Sequence, residues 1–318
     1  MRKNAAPQTD LPATSVNGES GSSGRPSRFI LMFGLIVMLL MWTFNYLAVK
    51  IALVHFDALT LVAFRFQVAG VVMLAIYYSK KERARLQRRH IWTIIYLGFF
   101  GVIVNQGLFT LGLAYTTSSH SAIISAIDPV MILALACVMG IETLSFGKAI
   151  GVALAFAGIM ALETENGSPA NSPLLIGDLI SLGAAIGFSV YAVLSKRIAE
   201  IYGSVALNTF NIIVAALVFL PIAVRQGIAL DWRGVGWQGW AALCYAAVFS
   251  SVLAYLIFFW ALRHLDPSRV AVVNYLQPIL VILLAAALLS EHLTRHLLVS
   301  TGLVLLGVYL AERGARIV

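Results

Sequence analysis

The chain has 318 residues, 60% of them hydrophobic and only 11% charged, with a net charge of +8 and two cysteines. Soluble domains carry about 25% charged residues, so a water-facing surface over most of the chain is excluded. Apolar runs of about 20 residues are long enough to cross a ~30 Å hydrocarbon core as helices, which makes the expected fold class an all-α, multi-pass membrane protein.

Residues 1–28 are rich in Ser, Gly, Pro, Asn and Ala and nearly free of large apolar groups, so they are expected to form a disordered cytoplasmic tail. The next run, FILMFGLIVMLLMWTFNYLAV, is too long for a signal-peptide core and is read as a retained first span. In order, the predicted spans are 29–49, 58–78, 91–112, 119–141, 147–163, 177–197, 205–224, 237–260, 269–290 and 296–312. Connectors such as KKERARLQRRH (80–90) and ETENGSPANSPLLIGD (163–178) carry charge and helix breakers.

Ten spans put both ends of the chain on one side. With that side in the cytoplasm, 17 of the 22 Lys and Arg residues fall inside; Lys50, Arg225, Arg233 and Arg295 fall outside, and Arg65 lies within the second span. The net charge therefore comes from inner loops. The 80–90 run is a topology determinant against anionic lipid, and nucleic acid is not an expected partner. Cys137 and Cys244 fall inside spans and cannot form a disulfide framework or metal site.

A repeat organises the spans. A shift of 149 places Pro129 on Pro278, Glu142 on Glu291, Leu144 on Leu293 and Gly158 on Gly307; a shift of 146 places Lys50 on Lys196 and Phe64 on Phe210. Each half holds five spans, an odd number, so the second half enters the membrane from the opposite side. That is the inverted-repeat plan of many secondary transporters. The predicted halves are residues 29–163 and 177–313, ten transmembrane helices as a 5+5 inverted repeat around a central cavity.

Several segments carry a family resemblance: WTFNYLAVKIAL (42–53), LTLVAFRFQVAG (59–70), GDLISLGAAIGFSVYAVLSKRI (177–198), and the paired P…GIETLSFGKAIGVALAFAGI and P…LSEHLTRHLLVSTGLVLLGV stretches. Together they resemble the EamA-type branch of the drug/metabolite transporter superfamily over about residues 29–313. The resemblance implies a ten-helix fold in a bacterial-type cytoplasmic membrane that moves small metabolites, often by efflux. It does not identify the solute.

Polar groups at interior depths are the candidate site. Asp128 is about nine residues into its span and Arg65 seven into another, where a charge costs on the order of 2.5–3.5 kcal/mol and so faces a cavity or a partner. They are expected to border one cavity, pairing there or sharing water, or else to form a buried ion pair that only fixes packing. Their counterparts are the neutral Asn211 and Gln277, so the carboxylate is not demanded by architecture common to both halves. A lone acid suits proton coupling or cation recognition. Trp42, Asn45, Gln106, Tyr191, Asn211, Tyr255, Asn274 and Gln277 complete the candidate cavity wall, with interhelical hydrogen bonding as the competing role for each. Pro129 and Pro278 each free a carbonyl one turn back and are expected to kink their spans beside the cavity. Glu142 and Glu291 end their spans ahead of Ser145 and Thr294. These carboxylates are expected to reach the orphan amides of the helix that follows.

Rival functions fare worse. There is no G-x-x-x-x-G-K-[ST] loop and no H-E-x-x-H, and His292 and His296 at i, i+4 lack a third ligand. No enzyme activity, metal or cofactor is expected. A receptor or scaffold would want larger loops than the 13–15-residue connectors present. Within transport, the leading reading is export of a small polar metabolite such as an amino acid or its derivative, with protons as the candidate coupling ion. The alternative is exchange of phosphorylated or nucleotide-linked sugars, which would want more cations in the cavity than Arg65. Gly and Ala stripes such as GKAIGVALAFAG (147–158) suit helix sliding and equally a homodimer contact.

Overall fold

The computed structural model describes residues 26–138, 146–163, 173–266, 269–270 and 272–316, and these fold almost wholly into helices. In chain order they are α1 Arg28–Leu53, α2 Ala58–Ser79, α3 Arg88–Tyr115, α4 Ser118–Ser125, α5 Asp128–Val138, α6 Phe146–Glu163, α7 Pro173–Ala229, α8 Trp237–Leu262, α9 Gln277–Leu288 and α10 Arg295–Arg316. Six helical stretches among the described residues are long and apolar enough to cross a membrane: α1, α2, α3, Ser118–Leu135 across α4 and α5, α7 and α8. Shorter apolar helices lie at Phe146–Leu162, Val273–Leu288 and Arg295–Ala311. The protein is an integral membrane protein.

Local chemistry sets the helix starts. Ser27 caps α1 by accepting from the Ile30 amide at 3.3 Å, and Asp57 caps α2 by accepting from the Leu59 and Thr60 amides at 3.1 and 3.0 Å. Thr117 caps α4 through the His120 amide at 3.1 Å, and Thr294 caps α10 through the Leu297 amide at 3.1 Å. The 57-residue α7 leaves helical geometry at Gly203, whose φ of 72° is left-handed territory that favours glycine. Its two limbs, 173–202 and 204–229, are the sixth and seventh predicted spans, joined without the connector the sequence suggested.

Contacts across the two halves set four pairs of helices antiparallel. A Cβ on Gly151 of α6 would meet Ala311 and Gly307 of α10, and one on Gly158 would meet Val304, so α6 and α10 are antiparallel and almost touching. In the second limb of α7, Met73 faces Asn208, Gln67 donates to the Ala216 carbonyl and Phe66 stacks on Phe219, so α2 runs against it. In the first limb, Gly101 lies against Tyr191, Asn105 against Ala184 and Gly112 against Ser181, so α3 is antiparallel to it. Gly34 packs on Trp260 and His55 on Gly239, which opposes α1 to α8. These approaches place small residues at the crossings, where backbones come closest.

Four spans depart from the continuous helices the sequence suggested. The span expected over 119–141 is broken at Ala126–Ile127, and Pro129 sits in the first turn of α5, not at a mid-helix kink. A 3₁₀ turn, Val272–Leu276, precedes α9, and Pro278 lies in the first turn of that helix. Both prolines mark helix starts because a first-turn residue has no helical partner to lose. In α3 the segment Phe99–Gly107 is π-helical, and in α8 so is Tyr245–Ala254. The two π segments occupy equivalent positions at the 146-residue shift.

Candidate functional site

The breaks and π segments converge on one cavity. It is lined by Trp42, Asn45 and Tyr46 of α1, Arg65 of α2, Asn105, Gln106 and Phe109 of α3, and Ser125 and Asp128 at the α4–α5 break. Phe188 of α7, Ser250 and Tyr255 of α8, and Asn274 and Gln277 at the start of α9 complete it. The empty space at the site is about 500 Å³, open solvent at its mouth included.

Arg65 is held in place by α8. Its Nε donates to Ser251 Oγ at 2.8 Å and its Nη2 to Ser250 Oγ at 3.1 Å, and Ser251 Oγ in turn donates to Gln106 Oε1 at 3.0 Å. Both serines lie in the π segment of α8, where Asn208 Nδ2 also donates to the Ser251 and Val252 carbonyls at 3.3 and 3.2 Å. In α3, Asn105 Nδ2 donates to the Ala184 carbonyl at 3.0 Å, while its Oδ1 accepts from the Tyr255 hydroxyl at 3.2 Å. Such bulges recur at functional sites.

Arg65 is only 1% exposed and Asp128 7%, yet no ion pair joins them among the described residues. Each keeps an unused atom. Arg65 Nη1, Asp128 Oδ1, Asn45 Oδ1 and Asn274 Oδ1 are buried atoms of cavity-lining residues with no hydrogen-bond partner in the protein. Unpaired buried polar groups cost about 1–3 kcal/mol each, more when charged, so a solute or water that supplied partners would be held strongly. One end of the cavity is aromatic: Trp42 meets Phe188, Tyr255 and Phe258 at centroid distances of 5.8, 5.4 and 5.8 Å.

Eight of the ten residues expected from sequence line this cavity: Trp42, Asn45, Arg65, Gln106, Asp128, Tyr255, Asn274 and Gln277. Tyr191 and Asn211 do not. Asn211 Nδ2 donates to the Tyr191 hydroxyl at 2.9 Å, and Tyr191 is wholly buried beneath Gly101, so this pair packs α7 against α3. Sequence reasoning left out Tyr46, Phe109, Ser125, Phe188 and Ser250, ordinary span residues in sequence; Asn105, a polar residue at interior depth beside Gln106, lines the cavity as well. Ser125 lies at the α4–α5 break and Asn105 and Ser250 in the π segments, features invisible in composition, whereas Tyr46, Phe109 and Phe188 lie on regular helical turns.

Glu142 lies outside the described residues. Glu291 corrects the expectation for its class: its carboxylate accepts from the Ser118 and Ser119 amides at 2.8 and 3.1 Å and from Ser119 Oγ at 2.6 Å. It therefore caps α4, in the other half, and not the helix that follows it. The Thr294 cap already serves α10, which leaves Glu291 free for the α4 amides packed against the end of α9.

Residues 29–164 and 175–312 each match the EamA-like transporter family. The chain belongs to that family. Among relatives of this EamA-like protein is an uncharacterized transporter of Archaeoglobus fulgidus, 24% identical over 275 residues, covering 86% of this chain and 95% of its own length. The uncharacterized inner membrane transporter YedA of Escherichia coli is 23% identical over 285 residues, with 89% and 91% covered. A protein crystal structure superposes with a TM-score of 0.65 at 20% identity, covering 92% of this chain and 99% of its own. That likeness speaks to fold alone. The EamA-like chain is a membrane transporter, not an enzyme.

Proposed function

We propose that this EamA-like protein is a secondary transporter that exports small polar metabolites, amino acids or related compounds, by alternating access. In this reading ten transmembrane helices form two five-helix halves of opposite polarity, 29–163 and 177–313, with both chain ends in the cytoplasm. Three observations support the inversion: the family matches twice in tandem, the equivalent helices α2 and the second limb of α7, like α6 and α10, pack antiparallel, and the π segments recur at the repeat shift. The Lys/Arg bias supports the orientation.

The observation that carries the substrate reading is the mixed charge of the cavity. Arg65 and Asp128 line the same space without pairing and each holds an unused atom. Leaving two buried charges uncompensated is costly. A solute that is itself zwitterionic offsets both, its anionic group at Arg65 Nη1 and its ammonium at Asp128 Oδ1, with Asn45 and Asn274 as further acceptors. A phosphorylated or nucleotide-linked sugar would meet one cation and a repelling carboxylate. Asp128 is the candidate group for proton coupling.

The test is uptake and counterflow of labelled metabolites in proteoliposomes of the purified protein at two internal pH values. Movement of amino acids or amines with a saturable, Asp128-dependent rate is expected. Selective movement of phosphorylated sugars would refute the substrate reading, and movement of no solute across the panel would refute the choice of class.

A further inference from the structure

One end of the bundle is tied by polar side chains that cross between the halves. Residues 116–120 run from the end of α3 into the first turn of α4, and two carboxylates from the second half hold them. Glu291, just beyond α9, takes the first two amides of α4. Asp178 of α7 pairs with His120 Nδ1 at 2.8 Å, with both side chains almost fully buried, and also accepts from the Thr116 hydroxyl. Lys50, near the end of α1, donates to the Thr116 carbonyl at 2.5 Å. Gly177 allows this closeness, since a Cβ there would sit 2.6 Å from the Thr116 amide nitrogen.

The cavity begins a short way further in. Asn45 is five residues before Lys50, and Ser125 is seven after Ser118, which at 1.5 Å per residue is roughly 7–11 Å. The two ends of the cavity therefore differ in kind. Toward the ends marked by Arg28 of α1 and Leu262 of α8, the rings of Trp42, Phe188, Tyr255 and Phe258 close it. Toward the other end, beyond Asn45 and Ser125, the tie is made of hydrogen-bonded polar side chains and crosses the halves. α4 is an eight-residue helix bounded by the Ala126–Ile127 break next to Asp128, so it can tilt as a unit once its first turn is released.

We propose that Glu291, Asp178 and His120 form an outer lock, positioning residues whose bonds to the 116–120 segment hold the cavity shut toward the outside. The proposal rests on the alternating-access reading and on its orientation. Physical chemistry favours a polar lock at this face. When the halves part, a carboxylate exchanges protein N–H partners for water at small net cost, whereas an apolar seal would lose its buried area outright. The reverse motion re-forms the bonds and returns α4, with Ser125 and Asp128 at its end, to the closed arrangement.

The test uses the full chain with Cys137→Ala and Cys244→Ala and a cavity reporter, Ser125→Cys, in membrane vesicles of each sidedness. A membrane-impermeant thiol reagent is applied from one face at a time. Glu291→Gln and Asp178→Asn are expected to raise the labelling rate from the outside by about tenfold or more, the size set by losing a charge-assisted hydrogen bond, and to lower it from the cytoplasm. Glu291→Asp is expected to restore part of the closed population. Should either variant fail to fold, Ser119→Ala removes one bond and leaves the carboxylates in place, with a smaller change of the same sign. Unchanged outside labelling in folded variants overturns the lock, as does an equal rise from both faces, which signals mere loosening. A rise from the cytoplasm alone overturns the outer assignment. A reporter that no face can label in any variant, with or without substrate, overturns the transport path itself along with the lock.

Discussion

Gly151→Ala is the most informative change to the helix packing, because it adds one carbon where two backbones meet. The new Cβ would stand 2.3 Å from the Ala311 nitrogen and 2.5 Å from the Gly307 oxygen, against 3.4 Å or more for an ordinary contact. Neither neighbour is a side chain that can swing away, so α6 and α10 must part by about 1 Å at their crossing. A gap of 0.5–1 Å forfeits about a quarter to a half of each dispersion contact it opens. The expected loss is about 2 kcal/mol, within the 1–3 kcal/mol typical of overpacking, read as a drop of about 3 °C in the thermal midpoint of the purified protein. Gly302→Ala, in the same α10, is the control: a Cβ there meets nothing within 4 Å. It should be neutral or stabilise by up to about 1 kcal/mol, because Ala has less backbone freedom to lose. Gly307→Ala should resemble Gly151→Ala, and the double variant should cost less than the sum, since one separation relieves both contacts. Equal midpoints for Gly151→Ala and Gly302→Ala would refute the close antiparallel packing.

Other outcomes follow from the same geometry. Asp128→Asn should cut transport at least tenfold and flatten its pH dependence in proteoliposomes; an unchanged rate and pH profile would remove the carboxylate from the mechanism. Arg65→Lys keeps the charge but loses the fork to Ser250 and Ser251, so apparent substrate affinity measured by counterflow should fall by about 1.5–3 kcal/mol. Asp57→Ala removes the cap of α2 and should lower stability by about 1 kcal/mol in a denaturant titration. Partial burial raises the Asp57 carboxyl, but its hydrogen bonds with Thr60 and Leu59 outweigh that and hold it below the usual carboxylate range. Its contribution is therefore present above the unfolded-state value and lost as pH falls through the lower folded value, so Asp57→Ala and the parent should converge in stability at acid pH.

Sequence reading reached the all-helical membrane fold and the family through quantities that survive in one dimension. Run length, the Lys/Arg bias and the 149-residue offset are properties of the chain itself, and intramembrane polar groups such as Arg65 and Asp128 stand out because lipid makes them costly. Tyr191 and Asn211 looked equally exceptional and proved to bond to one another, because a polar residue at depth can find a protein partner as readily as a cavity. The π segments had no sequence signature, since one extra residue in a turn changes no composition, yet they carry the Ser250, Ser251 and Asn105 side chains that face Arg65 and Tyr255. Glu291 was recognised as a helix-end carboxylate but assigned to the neighbouring helix. Its true partner, 173 residues away from it in the chain at Ser118, depended on tertiary packing.

Alternating access through this cavity depends above all on the two halves crossing the membrane with opposite polarity. Single cysteines replacing Lys81, after α2, and Asp231, after the equivalent second limb of α7, read this out directly in intact cells with an impermeant thiol reagent. Labelling at 231 from outside, with 81 protected until the membrane is permeabilised, is the predicted result; labelling of both positions from the same side would contradict it.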